Sequence, residues 1–264
     1  MSFLFALAVI PGIVLMIYIY IKDSREKEPL GLLLSLFGLG AVSIIPVAIL
    51  ELLFGFIEEE GTYLSLIIMC VCVIGLFEEL GKFIFLKLRT WKNKNFNCTF
   101  DGIVYSVFVS LGFATLENIM YVLGNGIATG ILRAFTSVPG HASFAVIMGH
   151  YYSKMRQAKA QGKKGAYIAN HIKAIVIPML VHGFYDVLAM TGTLGAFLLF
   201  LVYVVVMFIF CFIIVKKDAS TDISLLFYEP IRPEFLPYAW SCPKCGLQNV
   251  NNFCIRCGKA KPND

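Results

Sequence analysis

Long apolar runs alternate along the chain with short polar gaps. Residues 2–21 are continuously apolar, and at about 1.5 Å of rise per residue such a helix crosses a hydrocarbon core of about 30 Å. A charged turn over 22–29 leads to a second run over 30–53, in which Pro46 is expected to produce a kink. The acidic gap Glu58-Glu59-Glu60-Gly61 precedes a third run over 63–88. A fourth covers 100–123, and the gap after it, 124–130, contains glycines and no charge. The fifth run, 131–152, is interrupted by Pro139-Gly140, and the sixth, 172–190, follows a strongly basic gap. A short Thr/Gly turn then opens the seventh, 196–215, which is uniformly apolar. No basic segment precedes the first run and no small-residue cleavage site follows it, so a removable signal peptide is not expected. The pattern predicts an all-α polytopic bundle of about seven spans over residues 1–215.

Composition sharpens this picture. The 264 residues are 58 % hydrophobic and 15 % charged, against about 45–50 % and about 25 % in an average soluble domain. The surroundings are therefore expected to be a lipid bilayer, in the cell membrane. The net charge is +5, but its placement says more than its size. Lys and Arg fall in the gaps after spans one, three, five and seven, and the four intervening regions hold one basic residue, Arg133, near the start of the fifth run. Cytoplasmic loops collect positive charge, which predicts an N-terminus outside and a C-terminus in the cytoplasm. Nucleic-acid binding would need basic residues clustered on a soluble domain, and none is expected here.

Against the apolar background, a few ionisable residues stand out. A charge near the bilayer centre costs about 2.5–3.5 kcal/mol on insertion scales, so such residues are rare and usually functional. The third span carries Glu78, Glu79 and Lys82. Glu78 and Lys82 share a helix face, with Glu79 about 100° further round. Glu117 and Asn118 lie in the fourth span, His141 in the fifth, and His182 and Asp186 in the sixth. One polar residue per span would suit an interhelical hydrogen bond. Seven acids, amides and imidazoles on four spans point instead to a shared polar site. In an apolar setting one of two neighbouring glutamates can hold a proton while the other acts as base. Asp186, four residues after His182, can orient its ring. Pro139-Gly140 is expected to break the fifth helix and put His141 at a half-helix N-terminus, and Asn118 can donate to an oxyanion. Lys82 either balances the glutamate pair or reaches for the cytoplasmic surface. By residue count, Glu117 and Asp186 fall nearer the outside than Glu78, by about 10 Å, whereas His141 and His182 fall near mid-depth. His150 suits an ordinary interfacial role and His171 a loop.

Four short motifs appear in order on successive spans: Glu78-Glu79-Leu80-Gly81-Lys82, Phe113 to Asn118, His141 to Gly149, and His182-Gly-Phe-Tyr-Asp186. Over about residues 1–215 this resembles the PrsW family of intramembrane proteases, distantly related to the CAAX prenyl endopeptidases and the Abi proteins. The resemblance implies hydrolysis of a peptide bond in a membrane-anchored protein, such as an anti-sigma factor. It implies that Glu78 and Glu79 activate water, with Glu117, His141 and His182 completing the site. The family is usually called a metalloprotease, while its CAAX relatives have also been argued to be metal-free glutamate proteases. No His-Glu-x-x-His helix is present, but His141, His182 and Glu117 can make a three-ligand catalytic zinc site with a water. Two other classes remain open: an ion- or proton-coupled transporter using the same residues, and a non-catalytic scaffold.

Beyond residue 215 the composition turns polar. Residues 216–241, with Pro230, Pro233 and Pro237, read as a linker. Cys242-Pro-Lys-Cys245-Gly and Cys254-Ile-Arg-Cys257-Gly over 242–264 form two knuckles whose four thiolates suit a closed structural zinc site. A cytoplasmic location disfavours disulfides. The segment resembles short zinc ribbons that recognise or tether a cytoplasmic protein partner. Its zinc, with four ligands filled, has no open position for catalysis.

Overall fold

The computed structural model describes residues 2–225 and 237–250, together with 252, 254, 259, 261 and 262. The apolar runs become helices: α1 (Ser2–Lys22), α2 (Leu30–Phe54), α3 (Tyr63–Ile68), α4 (Leu76–Thr90), α5 (Asp101–Phe135), α6 (Ser137–Ala160), α7 (Lys164–Met190) and α8 (Leu194–Ser220). A 3₁₀ turn, Gly55–Glu60, prolongs α2. The third span is one continuous rod made of α3, a π-helical segment Met69–Gly75, and α4. Thr62 starts it with a capping box, its Oγ1 accepting from the Ser65 backbone N–H.

Six helical runs are long and apolar enough to cross a membrane, and one of them, Asp101–Ala160, is 60 residues long. That run doubles back. Gly126, at φ 83°, leaves helical geometry inside α5, a backbone state that suits glycine. Arg133 on the far side of Gly126 bonds Glu117 and Asn118 on the near side, and Ser110 Oγ donates to His141 O. These pairs straddle Gly126, so the run is a helical hairpin whose two arms bring the long helical passes of the bundle to seven. A second irregularity falls at Thr136, between α5 and α6. The expected break at Pro139-Gly140 is therefore displaced by three residues. Pro139 sits in the first turn of α6, where its missing N–H costs no hydrogen bond.

The bundle is organised around α5, which packs on α1, α2 and α6 and is buried almost throughout its first half. Close crossings need glycine. A Cβ on Gly102 would lie 2.2 Å from Ser153 Oγ, and one on Gly149 would lie 2.5 Å from the Gly102 carbonyl oxygen. Large apolar side chains instead cover the exterior: Leu52 is 82 % exposed and Leu34 69 %, with Val202, Val206 and Ile209 exposed along α8. Polar residues lie inside and apolar ones outside, the arrangement a bilayer selects. The chain is a multi-pass membrane protein.

Two helices outrun their apolar stretches. α7 begins at Lys164, so Lys173 and His171 are helical; His171, expected in a loop, stacks on Phe83. α8 continues to Ser220, five residues into the segment read as linker. A helix emerging into water keeps its backbone bonds while losing its hydrophobic signature. Residues 221–225 then stay on the bundle. Asp222 Oδ1 accepts from Thr99 Oγ1 and Phe100 N, both at 2.8 Å. Leu225 N donates to Asn97 O at 2.6 Å and Arg25 Nη1 to Asp222 O at 2.8 Å. The turns at 22–29, 91–100 and 221–225 thus interlock at the lysine-rich end. In the tail, β1 (Trp240–Ser241) and β2 (Gln248–Asn249) pair antiparallel.

Candidate active site

The π-helical segment and two glycines bring the third span against α7. Leu76 N reaches back five residues to Val71 O, the wider π pattern. A Cβ on Gly75 would lie 2.8 Å from Met179 O, and one on Gly183 2.6 Å from Val71 Cα. With both side chains absent, the backbones touch and the first turn of α4 faces His182.

There Glu78, Glu79 and Lys82 are buried, with Glu79 fully so at 0 % exposure. Lys82 Nζ lies 2.9 Å from Glu78 Oε2, 2.8 Å from Glu79 Oε1 and 3.1 Å from His141 Nδ1. Of the two expectations for Lys82, balancing the acids holds. An ammonium only donates, so His141 Nδ1 accepts and Nε2–H is left to donate to Glu117 Oε2, at 2.9 Å. His182 Nδ1 lies 3.0 Å from Glu79 Oε1, and its Nε2 lies 3.4 Å from Asp186 Oδ2. Phe144 stacks on His182 with ring centroids 4.4 Å apart and also meets His141 edge-on.

The depth gap expected between Glu78 and Glu117 is bridged by the His141 ring. One nitrogen lies 3.9 Å from Glu78 and the other 2.9 Å from Glu117. Glu117 also receives Arg133 Nη2 at 2.8 Å. Asn118, expected to serve an oxyanion, has its amide committed elsewhere: Nδ2 donates to Ala8 O and Oδ1 accepts from Arg133 Nε.

A cavity of about 600 Å³ opens beside these groups, lined by Glu51, Glu78, Glu117, Arg133, His141, His182 and Asp186 among apolar residues. Met120, Tyr121, Leu132 and Met190 also line it, so it lies toward the lysine-poor end. Two of its polar residues were missed in the sequence. Glu51 lies close to the end of its apolar run, where an acid reads as the start of a gap; Arg133 registered only as a topological exception. The signal for both was an ionisable side chain beside an otherwise uncharged stretch.

Glu78, Glu79, His141 and His182 each offer a ligand atom, and these atoms all lie within 4.8 Å of one another. Buried Glu79 Oε2 and Asp186 Oδ2 have no hydrogen-bond partner. Two imidazoles with carboxylates suit a divalent metal, so the donor set fits one, although Lys82 already makes three of the contacts. The converging set differs from His141, His182 and Glu117, because Glu117 approaches His141 from the opposite ring nitrogen. In the tail, the sulfurs of Cys242, Cys245 and Cys254 converge likewise. Cys257 lies outside the described residues.

Acids and imidazoles collected at a cavity inside a lipid-facing bundle mark a membrane-embedded enzyme. Residues 28–214 match the PrsW family intramembrane metalloprotease, and the chain belongs to that family of proteases. It is 39 % identical over 209 residues to Protease PrsW of Clostridioides difficile (strain 630), covering 77 % of this chain and 86 % of that protein. It is 38 % identical to Protease PrsW of Geobacillus kaustophilus (strain HTA426), covering 69 % and 78 %. The figures for Protease PrsW of Bacillus subtilis (strain 168) are 35 %, 67 % and 78 %. No solved structure matches the chain.

Proposed function

We propose that this protein hydrolyses a peptide bond of a membrane-anchored protein at the 600 Å³ cavity. The family resemblance supplies an anti-sigma factor as the substrate class. The supporting observation is the division between the two glutamates: Glu78 lines the cavity, whereas Glu79 lies behind it, bonded to Lys82 and His182. Glu78 takes the proton of the attacking water. Glu79 and Lys82 are positioning residues, fixing Glu78 and the two rings. Glu117 holds His141 in the tautomer whose Nδ1 accepts. Arg133 carries the fixed positive charge on the cavity wall and faces the carbonyl oxygen as it becomes negative, and Asn118 positions Arg133. His182, with Asp186 beside it, gives a proton to the leaving amine and recovers one from Glu78, 3.9 Å away.

Alternatively, Glu78, Glu79, His141 and His182 would hold a divalent metal, which when bound supplies a Lewis acid and a water of lowered pKa in place of the proton-transfer roles of Glu78 and His182. Lys82 must withdraw its ammonium group for that set to close. In the tail, Cys242, Cys245, Cys254 and Cys257 would hold a structural zinc ion and present the ribbon to a cytoplasmic partner. The lysine-rich end lies in the cytoplasm, with the N-terminus outside.

The test is N-terminal labelling of membrane-protein fragments in cells carrying the wild type, Glu78→Gln or His182→Ala. Wild-type-specific fragments should disappear in both variants while the protein still accumulates in the membrane. An unchanged fragment pattern in both would overturn the proposal.

A further inference from the structure

His150 lies nine residues after His141 on α6, which places it half a turn round the helix from the cavity just described. Beside it, α6, α7 and α8 enclose a second space of about 480 Å³. Ile147, Ile177, Val181, Val206, Phe210 and Ile214 give it an apolar wall. Val206 and Phe210 are more than half exposed on the lipid-facing exterior, so the groove is open to hydrocarbon along its length. At the lysine-rich end it finishes at Tyr151, Lys154, Lys217 and the His150–Asp218 pair. The Lys154 and Lys173 ammonium groups flank the Tyr151 ring at 5.7 and 5.8 Å.

A third space, polar and about 150 Å³, adjoins the groove and shares His150, Lys154 and Asp218 with it. Thr99, Ser153, Gln157 and Thr221 supply its hydroxyl and amide groups. Ser153 is 4 % exposed and its Oγ has no hydrogen-bond partner, although a buried hydroxyl normally finds one. Asp218 Oδ2 is engaged by His150 Nδ1, 2.5 Å away, and Lys154 and Lys217 are the lysines of the rim. An apolar groove, a polar pocket continuous with it and lysines at the junction match an amphiphile with an anionic head.

We propose that this composite cleft binds an anionic glycerophospholipid from the surrounding bilayer. An acyl chain lies along the groove between α7 and α8. The phosphate meets Lys154 and Lys217, and the polar headgroup reaches Ser153 Oγ. Basic pockets between spans are suited to anionic headgroups, and each lysine near such a group contributes about fivefold in affinity. The site shares no residue with the acid–imidazole cavity and does not depend on the proteolytic reading. Its occupant would touch Asp218 and Thr221, next to the segment that fastens α8 to Asn97 and Thr99.

Native mass spectrometry of the full-length, delipidated protein tests this by titration with dioleoyl phosphatidylglycerol or dioleoyl phosphatidylcholine. The wild type should bind phosphatidylglycerol at least about fivefold more tightly, and Lys154→Gln with Lys217→Gln should weaken that binding about twentyfold while leaving phosphatidylcholine unchanged. Val206→Trp, which fills the groove, should weaken both lipids. Equal binding of the two lipids to the wild type would overturn the proposal. So would undiminished phosphatidylglycerol binding in the double lysine variant. Displacement by glycerol 3-phosphate at equal concentration would also overturn it, revealing an anion site without an acyl subsite. All three positions face outward or line the cleft, and an unchanged lipid-free melting temperature verifies that each variant is folded.

Discussion

Lys82 is the side chain on which the geometry of the site turns. Its single ammonium group contacts Glu78, Glu79 and His141, and it is 1 % exposed. Removing one partner from a buried ion cluster leaves uncompensated charge, at a cost of about 3–5 kcal/mol. Lys82→Met should therefore lower unfolding stability in detergent by about 3 kcal/mol and abolish proteolysis. Unaltered stability would show that Glu78 and Glu79 do not rely on Lys82 for their charge. Arg133 occupies a different niche, bridging Glu117 and Asn118 at the cavity wall. Arg133→Ala should reduce kcat on the order of a hundredfold while changing KM little, a split that loss of substrate binding would not produce.

Among the elements, the π-helical segment does what sequence periodicity could not foretell. Met69-Cys-Val-Cys-Val-Ile-Gly75 contains no proline and no charge, so nothing separates it from an ordinary apolar helix. Its effect emerges only where Gly75 and Gly183 let two backbones meet. Gly183→Val would put side-chain atoms against Val71 Cα, backbone that cannot give way. That variant should retain its helical circular dichroism and lose proteolysis; full activity would disprove the tight α7 crossing. The acids and imidazoles themselves were legible, because lipid excludes charge and each exception stands out. The hairpin at Gly126 was legible too, from glycines lacking charged neighbours. The outward ends of α7 and α8 were not, since a helix in water carries no apolar code. Partner choice was equally hidden: Asn118 bonds the carbonyl of Ala8, and nothing in the uniformly apolar α1 announces that.

For the molecule as a whole, the lysine-rich end is the fastened one. Truncation after Val215 removes Asp222 and its bonds to Thr99 and Phe100, whereas truncation after Leu225 keeps them. The shorter chain should melt several degrees lower in detergent than the longer one, and equal melting would show that 221–225 fasten nothing. Burial raises the Asp23 carboxyl to about 6, with Asp222 and Glu26 adding to the shift and Lys27 opposing it. Burial likewise raises Glu28 to about 7, assisted by Asp23 and Glu26 and countered by the Tyr105 hydroxyl that donates to it. Both acids hold a proton more readily folded than unfolded. Their contribution is complete below the ordinary carboxylate range and is lost as pH rises through 6 to 7. Thermal unfolding should thus occur at a lower temperature near pH 8 than near pH 5, and Glu28→Gln should flatten that dependence. Closed at the base and hollow toward the lysine-poor face, the bundle resembles a cup. A substrate segment would then meet the acids and imidazoles from the hollow end, past Met120, Tyr121, Leu132 and Met190, and leave the fastened base undisturbed.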